Sequence, residues 1–206
     1  MFRIGGFLPL SLCDYPGRVA AVVFTRGCNF RCPFCHNGHL LDGEGAPEDP
    51  AADGVLARLA SLAARLQGVV VTGGEPTLQP ALADFLRRIR GLRLAIKLDT
   101  NGSRPDVLAA LLAARLLDFV AMDLKAPWPR YPELSGTACD VAALKRSVAL
   151  IAGSGLPHQF RTTRVPPLLS DADCAAIARQ SPAGSPHVFQ TFQPEHALDP
   201  RLAARL

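Results

Sequence analysis

The sequence predicts an α/β fold, an open or partial (β/α)6 barrel, and three observations point there. From about Arg18 onward, short aliphatic or β-branched runs alternate with longer Ala-, Leu- and Arg-rich segments of helical period, the pattern of repeated βα units around a parallel sheet. Six such runs with five helical segments between them fall short of a closed eightfold barrel. The chain has 206 residues, enough for one continuous core but below the roughly 250 usual for the closed form.

The first strand is Val19–Phe24, an unbroken apolar run that opens into the long polar segment Thr25–His39. A helix over Asp53–Arg65 follows, with Asp53 placed to cap it. The second strand, Val69–Thr72, leads into Gly73–Thr77, and Pro80–Arg90 has helical period. The third strand, Leu94–Asp99, leads into Thr100–Ser103 and a helix over Arg104–Ala114; the fourth, Phe119–Leu124, leads into Lys125–Trp128 and a helix over Val141–Ala152. Gln159–Arg164, a helix over Ser170–Arg179 capped by Ser170, and a last strand at Val188–Phe192 complete the order. No composition shift divides the chain, so residues 1–206 read as one domain with 1–17 as its lead-in segment. Parallel βα folds bind ligands at the carboxyl ends of their strands, and the unusual residues of this chain fall there.

Composition excludes several classes. At 49% hydrophobic and 19% charged residues with a net charge of +4, the chain is neither disordered nor collagen-like. Its longest apolar stretches, such as Val19–Phe24 and Val107–Ala114, stop well before the roughly 18 residues of a membrane span. Gly5-Gly6 and Pro9 interrupt the apolar N-terminus and no small-residue cleavage site follows, so a cytoplasmic location without membrane contact is expected. The nearest thing to a basic patch, Arg87–Arg93, reads as a solvated helix end rather than a nucleic-acid surface.

The six cysteines stand at 13, 28, 32, 35, 139 and 174, half of them within eight residues. A chain this long in a reducing compartment needs no disulfide framework. Cys28, Cys32 and Cys35 form a Cys-x3-Cys-x2-Cys run directly after an apolar strand, able to wrap one metal centre from a single loop. A closed zinc site wants four ligands, which His36 or His39 would have to complete. An iron–sulfur cluster accepts three thiolates and leaves one iron open to a non-protein ligand. Three unligated thiols are the remaining reading. Cys13, Cys139 and Cys174 stand without Cys-x-x-Cys partners and read as small core residues, which argues against a second cluster or a separate ferredoxin-like domain.

Later strand ends carry further candidates. In Thr72-Gly73-Gly74-Glu75-Pro76 the glycines permit close backbone approach and Glu75 offers an acceptor for an ammonium group. On that reading Gly74→Val blocks ligand approach while leaving a metal centre intact. Asp99, in Asp99-Thr100-Asn101-Gly102, and Asp123, two residues before Lys125, terminate buried strands and need donors or a cation. Arg161 and Arg164 lie three apart on one strand, so only one of them can face inward.

The cysteine loop with its aromatic Phe34, the Gly-Gly-Glu turn, and the Asp99-Thr100-Asn101-Gly102 and Met122-Asp123-Leu124-Lys125 segments together resemble the radical S-adenosylmethionine superfamily. Within it the chain resembles the glycyl-radical-enzyme activases. That resemblance implies a partial (β/α)6 barrel of the radical S-adenosylmethionine type. It implies a [4Fe–4S] cluster on Cys28, Cys32 and Cys35, with the free iron chelated by S-adenosyl-L-methionine. It places Gly73, Gly74 and Glu75 at the cofactor's amino group, Asp99, Asn101, Asp123 and Lys125 at its methionine part and ribose, Arg161 at its carboxylate or ribose, and His196 over it. It also implies a monovalent cation between Asp99, Thr100 and Asp123. No side chain beyond the two cofactors is implied as a reacting group.

Arg3–Phe7, Leu12-Cys13-Asp14-Tyr15-Pro16-Gly17 and Phe24–Cys28 resemble the activating proteins of anaerobic ribonucleoside-triphosphate reductase. The implied activity is reductive cleavage of S-adenosylmethionine to a 5′-deoxyadenosyl radical that takes a hydrogen atom from a glycine Cα of a partner enzyme. Flavodoxin or ferredoxin would supply the electron. The competing readings are a radical enzyme acting on a small molecule or peptide in cofactor or natural-product assembly, and a zinc-binding module without catalysis.

Overall fold

The computed structural model describes residues 2–46 and 48–205. Seven strands form one sheet in the order of the chain. They are β1 (Ile4–Ser11), β2 (Ala20–Thr25), β3 (Gly68–Gly73), β4 (Ala95–Thr100), β5 (Phe119–Asp123), β6 (His158–Arg164) and β7 (His187–Thr191). β2 to β7 are mutually parallel, in register from Ala20↔Gly68 at one side to Arg164↔Thr191 at the other. These are the six expected strands, shifted by a residue or two.

β1 was not expected, because Gly5, Gly6 and Pro9 weaken a strand reading of the N-terminus. It runs antiparallel to β2, with register irregularities at Ile4/Gly6 and Leu8/Ser11 that absorb those residues. An edge strand tolerates both glycine and proline because only one of its sides must pair. A Cβ on Gly5 would also overlap Leu40 and come within 2.8 Å of Arg26 Cγ.

The helices are α1 (Ala52–Leu62), α2 (Leu82–Gly91), α3 (Pro105–Ala113), α4 (Tyr131–Ser135), α5 (Val141–Ala152) and α6 (Asp171–Ala178). Ser170 caps α6 as expected, in a reciprocal capping box with Asp173. Asp53 does not cap α1: the N-cap is Ala51, and Asp53 lies in the first turn, where its carboxylate meets Arg88 at 2.6 Å and the helix dipole favours it. Arg87 and Arg90 of the basic stretch are likewise paired, with Asp84 and Asp118. α4 was missed because Pro132 and a length of five residues leave no helical period to read.

Strand alternation divides the apolar residues between two regions. Ala21, Val23, Val69, Val71, Ile96 and Leu98 join the main core under the helices. Their neighbours Ala20, Val22 and Val70 form an inner cluster with Tyr15 on the concave face. Burial on both faces is what a parallel sheet requires, and each fully buried aliphatic side chain contributes about 1.5–3 kcal/mol. β4 breaks the apolar pattern: between Ile96 and Leu98 its concave face carries Lys97, 1% exposed. No helix among the described residues is long and apolar enough to cross a membrane.

Candidate active site

A cavity of about 340 Å³ opens at the carboxyl ends of the parallel strands. Cys28, Cys32, Phe34, Cys35, Gly73, Gly74, Glu75, Asp99, Asn101, Asp123, Lys125 and Arg161 all line it. His196 does not. After β7 the chain turns into a short 3-10 helix at Pro194–His196, which leaves His196 exposed with its ring 6.4 Å from that of His36. A larger hollow of about 800 Å³ lies between α3 and α5, away from these residues.

The cysteine loop is held from several sides. Gly27 N–H donates to Leu40 O at 2.8 Å, Cys28 N–H to Leu41 O at 3.1 Å, and Arg31 N–H to Ser135 O at 2.7 Å. Asn101 Nδ2 donates to Asn29 Oδ1 at 3.0 Å and lies 3.9 Å from Cys28 Sγ. Phe30 packs edge-on against Tyr131, ring centroids 6.4 Å apart. The Tyr131 hydroxyl donates to Asp123 O and accepts from Lys125 N–H, both at 3.2 Å. α4 and Asn29 are therefore site-building elements that the sequence did not reveal.

All three loop cysteines are free thiols. Burial pushes the Cys28 thiol up, and pushes Cys32 up to about 12 although Lys125 acts the other way. Buried thiols with raised values need a cationic partner to ionise, and the irons of a cluster supply one. Among the described residues no group of three His, Cys, Asp or Glu side chains is gathered for a single metal ion; a cluster, with a separate iron for each thiolate, spans a wider ring. His36 also lines the cavity, but its ring is stacked on Phe192 at 5.8 Å and its Nε2 is engaged, accepting from Gln193 N–H at 3.4 Å. The three cysteines fit an iron–sulfur cluster better than a Cys3His zinc site.

Glu75 is fully buried, and its carboxylate is committed inside the protein. Oε1 accepts from Thr77 N–H at 3.0 Å, from the Thr77 hydroxyl at 2.5 Å and from the Thr100 hydroxyl at 2.8 Å, while Oε2 accepts from Asn101 N–H at 2.6 Å. Four donors fill about as many acceptor sites as a carboxylate has. Burial raises its pKa against the pull of those donors. The expected acceptor for an ammonium group is thus a clamp between the loops after β3 and β4.

The two glycines also have an internal reason. Gly73 has φ 107°, and a Cβ there would meet Thr25 O at 2.7 Å; one on Gly74 would meet the Gly27 carbonyl carbon at 2.8 Å. Gly74 N–H donates to Thr25 O and Glu75 N–H to Gly27 O, each at 2.8 Å. The loop after β3 is laced to the cysteine loop.

On the concave face the charged residues form a chain. Lys97 pairs with Asp99 Oδ1; Arg161 Nη1 meets Asp99 Oδ2 at 2.9 Å; Arg161 Nε and Nη2 meet Asp123 Oδ1 at 2.9 Å; Lys125 Nζ meets Asp123 Oδ2 at 3.3 Å. Burial would raise the Asp123 carboxyl, but Arg161 and Lys125 outweigh it and hold it at about 2. Arg161 is therefore the inward arginine; Arg164 is exposed and pairs with Asp171 at the surface. Lys97 was not anticipated, although its place in Ala95-Ile96-Lys97-Leu98-Asp99 puts it on the same face as Asp99.

The family model described as the radical SAM superfamily matches residues 22–179. The chain belongs to the radical SAM superfamily. It is 31% identical over 202 residues, 95% of its own length and 82% of the other's, to a Methanocaldococcus jannaschii protein provisionally named a glycyl-radical enzyme activating enzyme. It is 32% identical over 130 residues, 61% of its length and 53% of the other's, to the pyruvate formate-lyase-activating enzyme of Clostridium pasteurianum. GTP 3′,8-cyclases and 7-carboxy-7-deazaguanine synthases also match, over about half of the chain. Among solved structures, Streptococcus suis SuiB bound to the precursor peptide SuiA superposes with a TM-score of 0.66 at 14% identity, covering 89% of this chain and 44% of that one. That likeness shows the radical SAM fold, a partial barrel. The superfamily implies a [4Fe–4S] cluster and S-adenosylmethionine, and the buried thiols and the polar cavity beside them suit both.

Proposed function

We propose that this radical SAM protein activates a glycyl radical enzyme, anaerobic ribonucleoside-triphosphate reductase being the target the sequence favours. When bound, the cluster and S-adenosylmethionine supply reductive carbon–sulfur cleavage and a radical able to take a hydrogen atom. The chain's residues bind and orient. Cys28, Cys32 and Cys35 hold the cluster; Gly73 and Gly74 present backbone groups beside it; Asp99, Asp123, Lys125 and Arg161 face the cofactor's charged groups; Phe34 supplies an apolar wall. Asn101 and Glu75 position the two loops, and His196 is left without a part at the cavity. A flavodoxin or ferredoxin is the expected electron donor, and the reading has the chain working as one domain in the cytoplasm.

The observation that carries a protein substrate is the shape of the opening. β1 and β7 are the two edges of the sheet and do not pair with each other. Of the six large apolar side chains exposed among the described residues, five lie on or beside these edges: Leu8, Leu10, Leu12, Val188 and Phe189. Leu8 pairs with Val22 and Val188 with Arg161, so both face the concave side. An apolar-rimmed lateral opening suits a chain segment, and glycine suits the reaction because no side chain hinders approach to its Cα.

A second reading, action on a small molecule or peptide, draws on the cyclase and synthase relatives and on the peptide bound by SuiB. The test is anaerobic reconstitution with iron and sulfide, reduction, and assay of 5′-deoxyadenosine from S-adenosylmethionine with and without an anaerobic ribonucleotide reductase. A partner-dependent glycyl signal in electron paramagnetic resonance is expected. Cleavage with no glycyl radical would favour the second reading. Replacing Cys28, Cys32 or Cys35 by Ala is expected to abolish iron binding, and replacing Cys139 or Cys174 to preserve it.

A further inference from the structure

The resemblance places a monovalent metal cation between Asp99, Thr100 and Asp123, and the donors found there do not fit one. Both oxygens of Asp99 are already paired, one with Lys97 and one with Arg161. Both oxygens of Asp123 are paired as well, one with Arg161 and one with Lys125. The Thr100 hydroxyl donates to Glu75 at 2.8 Å and accepts from Gly102 N–H at 3.1 Å.

The charges give the same answer. Lys97, Arg161 and Lys125 set three positive charges against the two carboxylates, so the chain of pairs carries one surplus positive charge. The side chains of Lys97 and Arg161 are 1% and 14% exposed, where like charges repel far more than in water. A metal cation entering would have to displace a buried ammonium or guanidinium from its carboxylate, and breaking such a buried pair is strongly unfavourable.

We propose that Lys97 and Arg161 replace the monovalent metal cation, so that this protein holds S-adenosylmethionine independently of Na⁺ or K⁺. Lys97 is then a positioning residue: it does not line the cavity, and acts by fixing and neutralising Asp99, which does. The inference rests on the cofactor assignment made above, and its test has an arm that does not depend on that assignment.

Crystals of the protein soaked in rubidium or thallium(I) chloride are expected to show no anomalous peak at Asp99 or Asp123. A peak there overturns the proposal whatever the protein binds. In the reconstituted protein, S-adenosylmethionine affinity is expected to vary less than about twofold between sodium, potassium and tetramethylammonium chloride at equal ionic strength, where general screening is constant. A tenfold loss in tetramethylammonium overturns the proposal. No binding in any salt instead overturns the cofactor assignment, and the soaked crystals still decide the ion.

Lys97→Met frees Asp99 Oδ1. It is expected to admit the heavy ion beside Asp99 and to make cofactor affinity depend on sodium or potassium, a gain that loss of packing alone does not produce. If the folded variant stays free of the ion and insensitive to salt, Lys97 is not the substitute. Should Lys97→Met not fold, the two wild-type measurements decide the matter.

Discussion

A Cβ on Gly74 would overlap the Gly27 carbonyl oxygen and stand 2.8 Å from its carbon, so the turn after β3 and the cysteine loop approach each other with no room for a side chain. Gly74→Ala is therefore expected to shift the cysteine loop, at a cost of about 1–3 kcal/mol from overpacking. Iron and sulfide content after reconstitution should fall below the wild-type level together with the melting temperature. Normal iron loading with only S-adenosylmethionine binding lost is the outcome for a glycine that serves ligand approach alone, and it would refute the packing account.

Glu75→Gln keeps the shape and removes one acceptor. The new amide must turn donors toward Thr77, Thr100 or Asn101 N–H, and an unsatisfied buried polar group costs about 1–3 kcal/mol. Thermal or urea denaturation of the variant should show that loss. A melting temperature equal to the wild type's would mean that Glu75 does not clamp the loops.

Arg161→Met and Arg164→Met separate two arginines that the sequence leaves equivalent. The first strips Asp99 and Asp123 of their shared partner and is expected to destabilise by about 3–5 kcal/mol, as for one half of a buried pair, and to weaken S-adenosylmethionine binding. The second lies at the surface, where an ion pair contributes about 0–1 kcal/mol, and should leave both properties near wild type. Equal effects would overturn the inward assignment of Arg161.

Asp123 titrates low in the folded protein, near 2 against an ordinary 3.8. Because the folded value is depressed, its stabilising contribution is present above about pH 3.8 and is lost as the pH falls toward 2. Asp123→Asn should lack that portion of the acid loss. Unfolding measured between pH 5 and pH 2 should then show a shallower pH dependence than in the wild type; parallel curves would contradict the assignment.

The parallel strands and the cavity wall were legible because both rest on short-range signals: aliphatic runs, Cys-x3-Cys-x2-Cys, and acidic residues at strand ends. Much of what was missed depends on partners distant in sequence. The antiparallel β1 hides behind Gly5, Gly6 and Pro9, whose irregular register is tolerated only at an edge. Glu75 read as a free acceptor because Thr100 and Asn101, 25 and 26 residues away, take its oxygens. Cys13 read as a core residue and is exposed beside Asp14, whereas Cys174 is buried and Cys139 half-buried against the core as expected. His196 was placed by its position after the last strand; on the Pro194 turn it stands exposed, outside the cavity lining but with its ring 6.4 Å from that of His36, which does line it. Lys97 was readable from alternation alone.

The anchoring of the cysteine loop bears on how the protein matures. Ser135, Leu40, Leu41, Asn101 and the Gly74 turn grip it through bonds that involve no metal, and Gly136, with φ 67°, lets α4 end against the Arg31 carbonyl where a Cβ would not fit. The loop is a finished mould rather than a strand of chain gathered up by iron. Inserting the cluster then spends little conformational entropy on ordering backbone, the polypeptide can complete its fold first, and the oxygen-sensitive part can be the last to arrive.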